Sequence, residues 1–459
     1  MYNHSILNDQ EVRRILTLEE DHFYDLKSKR IAPSKLSESI SSFANTSGGD
    51  IYVGIEEIEK HSKHRVWEGF KTIEEANAHI QVIDSLSPLA NHYEINFLKH
   101  PELKTYVLQI TIFKSIDIIY ATNGLPYIRR GAQKLPVDTP EKKRRLELDK
   151  GIIQFENEPV NEADLSDILE SSVYDNFIKN IVPNTEKSIW LKKQKLCKNN
   201  IPTVAGILLF AEEPQITLPK RSAIKIYRYK TSGKADRDTL DGQPFTFEGC
   251  AYDQIYAAVN KTKEIVESMK KLGKGFESIQ YPQETLHEII TNAIIHRDYS
   301  IATDTQIRIF DNRIEVESPG KLPGHITVKN ILDEQSARNP KIVRIINKFP
   351  EAPNKDVGEG LNTAFEAMTK LRLKVPIIRE NDNSVLVIIR HEKLASPEEM
   401  VINYMKDHSE ITNSLGRELT GIKSENTMKR VFWKLRDSGM LEPVPGKKGP
   451  ASAWRKKTH

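Results

Sequence analysis

Cysteine, long apolar runs and one common nucleotide motif are scarce or missing in this sequence of 459 residues. Only Cys197 and Cys250 occur, far apart and without a CxxC pair, which excludes a disulfide scaffold or a thiolate zinc site and fits a reducing compartment. The longest apolar run, about Val204 to Ala211, is far shorter than the roughly 20 residues that cross a bilayer. No GxxxxGK[ST] phosphate loop is present, which argues against a P-loop DNA motor.

Charge of one sign is not in excess either. Lys and Arg number 67 against 64 Asp and Glu, so the net charge is +3 and does not demand a polyanionic partner. The first residues lack the basic-then-apolar profile of a signal peptide, so we expect a cytoplasmic protein with no membrane partner. The length predicts about two to four domains, because one core rarely serves so long a chain.

Turn signals and changes of periodicity divide the chain into four segments, which we predict as 1–137, 138–275, 276–392 and 396–459. The first alternates short strands with helical stretches. The second opens with a charged connector at 138–150 and continues as a mixed α/β region. The third contains a helix, a strand and a hairpin. The sequence therefore predicts an α+β multidomain protein.

Acidic residues and a lysine converge near the beginning of the first segment. In a predicted strand at Phe23–Ser28, Asp25 and Lys27 are two residues apart and share one face, and Glu20 lies close enough to turn back towards it. A later strand, YVGIEE, adds Glu57. Carboxylates that hold Mg²⁺ or Mn²⁺, with a lysine that offsets phosphate charge, are what metal-dependent phosphodiester hydrolysis requires.

The spacing E-x4-D-L-K, followed by FANTSGG, YVGIEE and PYIRRG, resembles the Schlafen AlbA-like domain. In the nuclease members three carboxylates form the metal site, and the resemblance assigns them to Glu20, Asp25 and Glu57, with Lys27 after the second. The second acid is usually Glu and the third usually Asp, so each side chain here differs in reach by one methylene.

Two interpretations of this domain stay open. The acids and Lys27 form a nuclease site, or the domain binds nucleic acid or a partner without cleavage, since acids beside a lysine are also ordinary ion-pair material. Arg129 and Arg130 suit phosphate contact under either interpretation.

A second group of polar residues lies on the helix predicted from about Gln283. Glu288, Asn292 and His296 are spaced by four and form one stripe. A carboxylate followed by a carboxamide one turn later can place a water-activating base beside a magnesium ligand. His296 and the two residues after it are also predicted, as an alternative, to cap and brace the helix end.

The order NAIIHRDY, SPGKLP, RNP and GEGL resembles a divergent branch of the GHKL ATPases. That resemblance implies an α/β sandwich that binds ATP and Mg²⁺. It makes Glu288 the general base and Asn292 the Mg²⁺ ligand, and it places Gly320 in the adenine-side loop and Gly358 and Gly360 in the phosphate loop. Ser318 replaces the usual adenine-reading Asp, and its neutral hydroxyl can still accept a hydrogen bond. Nucleotide binding, ATP turnover and a degenerate fold stay open.

The last segment has the pattern of a winged helix-turn-helix. Ser424 is a suitable N-cap for its third helix, and the buried stripe of that helix is predicted at Met428, Val431, Phe432 and Leu435. The predicted nucleic-acid contacts lie outside that stripe or on the hairpin tip: Asn426, Lys429, Arg430, Lys434, Lys447 and Lys448. A winged helix used for protein contact is the alternative.

Together the segments resemble one bacterial family of transcriptional regulators and ATP-binding proteins. The resemblance implies a nucleotide-responsive protein in which ATP controls how DNA, tRNA or other RNA is engaged, as a transcription regulator or a defence effector. The alternative is a metal-dependent nuclease that uses Glu20, Asp25 and Glu57. A homo-oligomer is expected, because GHKL relatives and winged helices often dimerise.

Overall fold

The computed structural model describes the whole chain except residues 1, 59–64, 90, 219, 274, 279–281, 354–359, 371–372, 391–396, 421, 448, 450–451 and 458–459. The chain forms two compact units, one of residues 1–368 with 375–390 and one of residues 369–374 with 391–459. Both contain helices and at least one sheet, which confirms the predicted α+β class.

The first domain is built on a five-stranded sheet in the order β1-β6-β7-β3-β2. Its elements are β1 (Asn3–Ile6), α1 (Asp9–Leu16), β2 (Tyr24–Lys27), α2 (Pro33–Ala44), β3 (Gly49–Val53), β4 (Ile55–Glu57), β5 (Arg65–Trp67), α3 (Asn77–Asp84), β6 (Tyr93–Lys99), β7 (Tyr106–Ile112), β8 (Tyr127–Arg130) and β9 (Gln133–Pro136). Strand β2 forms an edge and runs parallel to β3, which puts Asp25 beside Ile51.

Helix α2 packs on this sheet through Leu36, Ile40 and Phe43, whose side chains are fully buried. The chain then turns through two glycines. A Cβ on Gly49 would lie 2.4 Å from the Phe43 ring, and Gly48 has φ +74, so both positions need glycine. The FANTSGG motif therefore specifies a close turn between α2 and β3.

A largely helical region follows. Its elements are α4 (Pro140–Asp149), α5 (Ser166–Leu169), α6 (Ser172–Ile181), α7 (Lys187–Lys193), β10 (Cys197–Lys198), β11 (Ile201–Pro202), α8 (Val204–Phe210), α9 (Pro214–Thr217), β12 (Ile224–Arg228), β13 (Phe245–Phe247), α10 (Ala251–Ser268), β14 (Lys270–Gly273) and β15 (Gly275–Ser278). The prediction of a connector at 138–150 is wrong. That stretch contains α4, which Thr139 caps and which buries Leu146 and Leu148.

A six-stranded sheet in the order β13-β12-β16-β17-β19-β18 forms the next domain. Its further elements are α11 (Gln283–Ile295), β16 (Thr305–Ile309), β17 (Arg313–Pro319), α12 (Pro340–Ile346), α13 (Gly360–Lys370), β18 (Ile377–Glu380) and β19 (Ser384–Arg390). Strand β12 pairs in parallel with β16, so the boundary predicted at residue 275 separates strands of one sheet. The helix and the hairpin that the sequence predicted are present.

The second compact unit contains α14 (Pro397–Asp407), β20 (Ile411–Thr412), α15 (Asn413–Thr420), α16 (Glu425–Asp437), β21 (Leu441–Pro443) and β22 (Ala453–Lys456). The strands form a sheet in the order β20-β22-β21. Ser424 caps α16, and the predicted stripe Met428, Val431, Phe432 and Leu435 is buried in its core. This order of helices and a hairpin is compatible with the winged helix, which stays a prediction.

Candidate functional site

One face of α11 lines a cavity of about 370 Å³ in the six-stranded domain. Glu288, Asn292 and His296 all contribute to its wall, as expected for residues one turn apart. The opposite wall includes Ser318 and Gly320, where β17 ends. The structure thus brings together five residues that the sequence places up to 32 positions apart.

Glu288 and Asn292 form a hydrogen-bonded pair in this wall. Asn292 Nδ2 donates to Glu288 Oε1 at 2.7 Å. Burial raises the pKa of Glu288 above its usual value, and the bond from Asn292 offsets part of this effect. A carboxylate with a raised pKa is a stronger base, and carboxylate and amide oxygens are ligands that Mg²⁺ accepts. The donor set at this wall therefore fits the predicted base and magnesium ligand.

The turn after β17 is held close to α11. Ser318 Oγ donates to the carbonyl of Ala293 at 2.6 Å, which leaves its oxygen lone pairs as acceptors. Gly320 has φ +107, and a Cβ there would lie 2.6 Å from the Cβ of Asp298. The glycine is required by this close approach.

Buried ionic groups brace the end of α11. The carboxylate of Asp298 contacts Arg145 and lies 3.3 Å from Arg338 Nη1, while Ser300 donates to its other oxygen. Asn339 Nδ2 donates to the carbonyls of Ile295 and Arg297 at 2.9 and 2.8 Å. These contacts agree with the alternative interpretation, in which the residues from His296 to Asp298 brace the helix end, and they give the RNP motif a part in the same brace.

His296 is kept neutral beside this cluster. Burial, together with the charge of Arg338, lowers the pKa of His296 to about 4. Its Nδ1 is buried without a hydrogen-bond partner among the described residues. An uncharged imidazole in the cavity wall does not repel a metal ion or compete for phosphate as a cation.

The phosphate-loop residues are only partly described. Gly358 lies outside the described residues, and Gly360 begins α13. Leu361, the next residue, lines the cavity, so the start of α13 adjoins the space where the resemblance places phosphate. Lys321 contributes a cation to the same wall.

In the first domain Lys27 holds two of the predicted acids. Its Nζ donates to Asp25 Oδ1 at 2.6 Å, to Glu20 Oε1 at 3.3 Å and to the carbonyl of Leu26 at 3.2 Å. Glu20 also accepts from the Leu26 backbone N–H at 3.0 Å, a group that an edge strand leaves free. Glu20, Asp25 and Lys27 are thus assembled as predicted.

Glu57 is not brought into this group. It is exposed, and Arg65 Nη2 lies 3.8 Å from its Oε1. Its neighbour Glu56 points the other way and accepts from Ser28 and Arg30. In the described part of the chain no three His, Cys, Asp or Glu are arranged to hold a metal ion, so the predicted three-carboxylate set does not form here.

The two arginines of PYIRRG have different surroundings. Arg129 is only 2% exposed and donates to the carbonyls of Asp21 and Tyr24, both at 2.8 Å, with its guanidinium over the Phe43 ring. The predicted phosphate contact of Arg129 is therefore corrected to an internal brace. Arg130 is exposed and pairs with Asp382 at 2.7 Å.

The candidate nucleic-acid residues of the last unit lie at its surface. Asn426 and Arg430 are exposed on α16, and Lys429 pairs with Glu425 on the same helix. Lys434 pairs with Glu398 at 2.9 Å and Lys447 with Glu410 at 2.7 Å. Lys448 lies outside the described residues.

Two family models match the chain. The model described as "Schlafen, AlbA_2" matches residues 20–138, and the one described as "Putative ATP-dependent DNA helicase recG C-terminal" matches residues 303–389. The chain carries a Schlafen AlbA_2 domain and a GHKL-like ATPase domain. The predictions of these two domains are thereby confirmed. The two domains associate the chain with nucleic-acid-related and ATP-associated proteins.

One solved structure is similar over most of its length. The DIP2311 protein of Corynebacterium diphtheriae is 17% identical, with 97% of this chain and 96% of that chain covered and a TM-score of 0.42. No curated protein matches the chain. Among the described residues, no helix is long and apolar enough to cross a membrane.

Proposed function

We propose that this protein binds ATP in the α11 cavity and that the nucleotide controls how the protein engages nucleic acid, as a regulator or defence effector in the cytoplasm. One observation carries the proposal. Glu288, Asn292, Ser318 and Gly320, which the GHKL resemblance assigned to the nucleotide, line one cavity of about 370 Å³. This volume lies within the roughly 300–1,000 Å³ range of small-molecule sites.

The residues divide the work of binding. Asn292 and the phosphates would hold Mg²⁺, which supplies charge neutralisation when bound. Glu288, with its raised pKa, orients a water and accepts its proton. Ser318 offers an oxygen acceptor to the exocyclic amine of adenine.

The cavity wall is tied to the AlbA_2 domain, which supports control of one by the other. Lys114 Nζ donates to the carbonyls of Leu322 and Ile326 at 2.8 and 3.0 Å, and both acceptors belong to residues that line the cavity. Glu380 accepts from Leu322 N–H through one oxygen and from Ser47 Oγ through the other. A nucleotide that favours one arrangement of this loop would thereby bias the AlbA_2 domain.

Equilibrium binding of fluorescent ATP with Mg²⁺ tests the nucleotide site. Asn292→Ala is expected to weaken binding by about tenfold or more, since a charge-assisted contact is lost. Glu284→Gln, an exposed acid about two turns before Asn292 on α11, is the control and should bind as the unmodified chain does. Absence of ATP binding, or equal binding by Asn292→Ala, contradicts the proposal.

Nucleic-acid cleavage by the AlbA_2 domain is the second candidate function. The assembly of Glu20, Asp25 and Lys27 on edge strand β2 favours it. Labelled tRNA, single-stranded DNA and duplex DNA, incubated with Mg²⁺ or Mn²⁺, should be cut by the unmodified chain and not by Asp25→Asn. Glu94→Gln, an exposed acid on β6, is the control, and binding by Asp25→Asn should persist. If the unmodified chain binds nucleic acid without cleaving it, the nuclease function is rejected and the regulator function remains.

A further inference from the structure

A second cavity, of about 290 Å³, lies between the AlbA_2 domain, α4 and the loop after β17. Its lining is rich in cations. Five basic side chains contribute to it against the two acids Glu141 and Asp149: Lys114, Lys142, Arg145, Lys150 and Lys321. Lys142 pairs with Asp138, and Arg145 pairs with Asp149 and Asp298, so the positive excess rests on the remaining lysines. Such an excess within a cavity is a recurrent feature of anion sites.

Two of these lysines are buried without a carboxylate partner. Lys114 is 7% exposed and Lys150 is 2% exposed. Lys150 Nζ donates to the carbonyls of Ala44 and Ser115 at 3.1 and 2.6 Å, and Lys114 Nζ donates only to carbonyls as well. In the described part of the chain no acid lies within ion-pair distance of either ammonium group.

Burial of two like charges is costly when no anion accompanies them. Burial lowers the pKa of Lys114 to about 8, and burial together with the charge of Lys114 lowers the pKa of Lys150 to about 7. Buried groups either pair with an opposite charge or lose their own, so an anion in this cavity would supply the counter-charge that keeps both lysines protonated. Each ammonium has a third N–H that its two carbonyl partners do not occupy.

We propose that this cavity binds a phosphate group, either as the free anion or as part of a small phosphorylated metabolite. Ammonium and guanidinium groups form strong, charge-assisted hydrogen bonds to phosphate oxygens. A volume of about 290 Å³ lies at the lower end of the range for small-molecule sites and cannot enclose a polynucleotide. The site is distinct from the ATP cavity, although Lys321 lines both.

Calorimetric titration of the full chain tests the site directly. Inorganic phosphate and ribose 5-phosphate are added at constant ionic strength held with chloride. Saturable binding at one site by either probe supports the proposal. Tighter binding of ribose 5-phosphate identifies a metabolite phosphate, and tighter binding of inorganic phosphate identifies the free anion. Absence of saturable binding by both probes overturns it.

Neighbouring lysines on α4 provide a matched pair of variants. Lys142 lines the cavity, whereas Lys143, also exposed on the same helix, does not. Lys142→Gln is expected to weaken phosphate binding by about fivefold, because an exposed charge contributes modestly, and Lys143→Gln by much less. Equal effects of the two variants would mean that the anion is attracted only by net charge, which overturns the assignment to this cavity.

The pH profile of sulfate binding provides a separate test, because sulfate keeps its charge from about pH 6 to about pH 9. The charged groups that face the two lysines or share their cavity are Asp117, Glu141, Lys142, Arg145, Asp149, Lys321, Arg338 and Glu380. Sulfate affinity is expected to fall about tenfold or more over this interval, as Lys150 and then Lys114 lose their protons. A flat profile overturns the role of the two lysines.

Discussion

Replacement of Asp298 by Asn should measure how much the buried ionic cluster at the end of α11 contributes to the free energy of unfolding. Asp298 is 2% exposed, and its carboxylate faces Arg145 of α4 and Arg338. Asp298→Asn keeps the shape of the side chain and removes its charge. The two guanidinium groups then lose their shared anion.

The magnitude follows from what each arginine retains. Arg145 keeps its ion pair with Asp149 and is partly exposed, so solvent screens its charge. Arg338 is buried and, among the described residues, keeps the carbonyls of Leu148 and Lys321 as its acceptors. Breaking a buried pair costs about 3–5 kcal/mol, and with one strongly affected cation we expect about 3 kcal/mol.

Urea unfolding at neutral pH, with hydrogen exchange to locate the loss, is the assay. Asp304→Asn is the matched control, since Asp304 is also buried but, among the described residues, has one cation within ion-pair distance, Lys225 at 3.5 Å. We expect about 1 kcal/mol there, because that pair is partly exposed. Equal losses in the two variants, or a loss below about 1 kcal/mol for Asp298→Asn, would refute the reasoning.

The pH dependence gives the same prediction a sign. Burial raises the pKa of Asp298, but the charges of Arg338 and Arg145, together with two hydrogen bonds, lower it by more than burial raises it. The folded pKa of Asp298 is therefore below its usual value. A lowered folded pKa stabilises the fold above the unfolded pKa of about 3.9, and that stability is lost as pH falls through the folded pKa. The difference in the free energy of unfolding between the unmodified chain and Asp298→Asn should therefore be largest at neutral pH and should shrink below about pH 4.

Further predictions concern the two walls of the α11 cavity and helix α16. Gly320→Ala should cost about 2 kcal/mol more than Gly151→Ala in thermal unfolding, because both have positive φ but only the first added methyl meets another atom within 4 Å. The raised pKa of Glu288 lowers stability as pH rises from its unfolded pKa through its folded pKa, so Glu288→Gln should remove this decline from unfolding curves measured upward from about pH 4. Arg430→Ala should weaken duplex DNA binding about tenfold in a mobility-shift titration, whereas Arg436→Ala, on the same helix, should not.

Local patterns predicted the walls of the site well. Glu288, Asn292 and His296 share a face because a helix repeats every 3.6 residues, and that repeat is visible in the sequence. The buried stripe of α16 follows for the same reason. Such predictions need only a short window of sequence and the chemistry of the residues within it.

Alternation along strands, which places Asp25 and Lys27 on one face, also separates adjacent residues of β8 and β4. Neighbouring residues of a strand point to opposite faces, so Arg129 and Arg130 cannot both face a phosphate. Buried Arg129 and exposed Arg130 show this directly, and Glu56 and Glu57 of β4 repeat it. The sequence could not decide which member of each pair faces inward, because that depends on the layer packed against the strand.

The ionic core and the second cavity depend on contacts between distant segments. Arg145 is 153 residues from Asp298, and Lys114 is more than 200 from the carbonyls that it binds. No local pattern pairs such residues. Each looks like an ordinary surface charge in the sequence, and only the approach of the two domains buries it.

The two cavities share a wall, and this leads to a final prediction about coupling. The carbonyls of Leu322 and Ile326 that hold Lys114 belong to the loop that lines the ATP cavity, and Lys114 also lines the anion cavity. A nucleotide that draws this loop towards α11 would release donors of Lys114 to the anion. Coupling between two binding equilibria is reciprocal, so ATP should change the Kd of sulfate by the same factor as sulfate changes the Kd of ATP. Calorimetric titrations of each ligand with and without the other measure both factors. A factor near one in both directions would show that the loop does not move between two arrangements, and control of nucleic-acid engagement would then have to reach the AlbA_2 domain through Asp298 and α4.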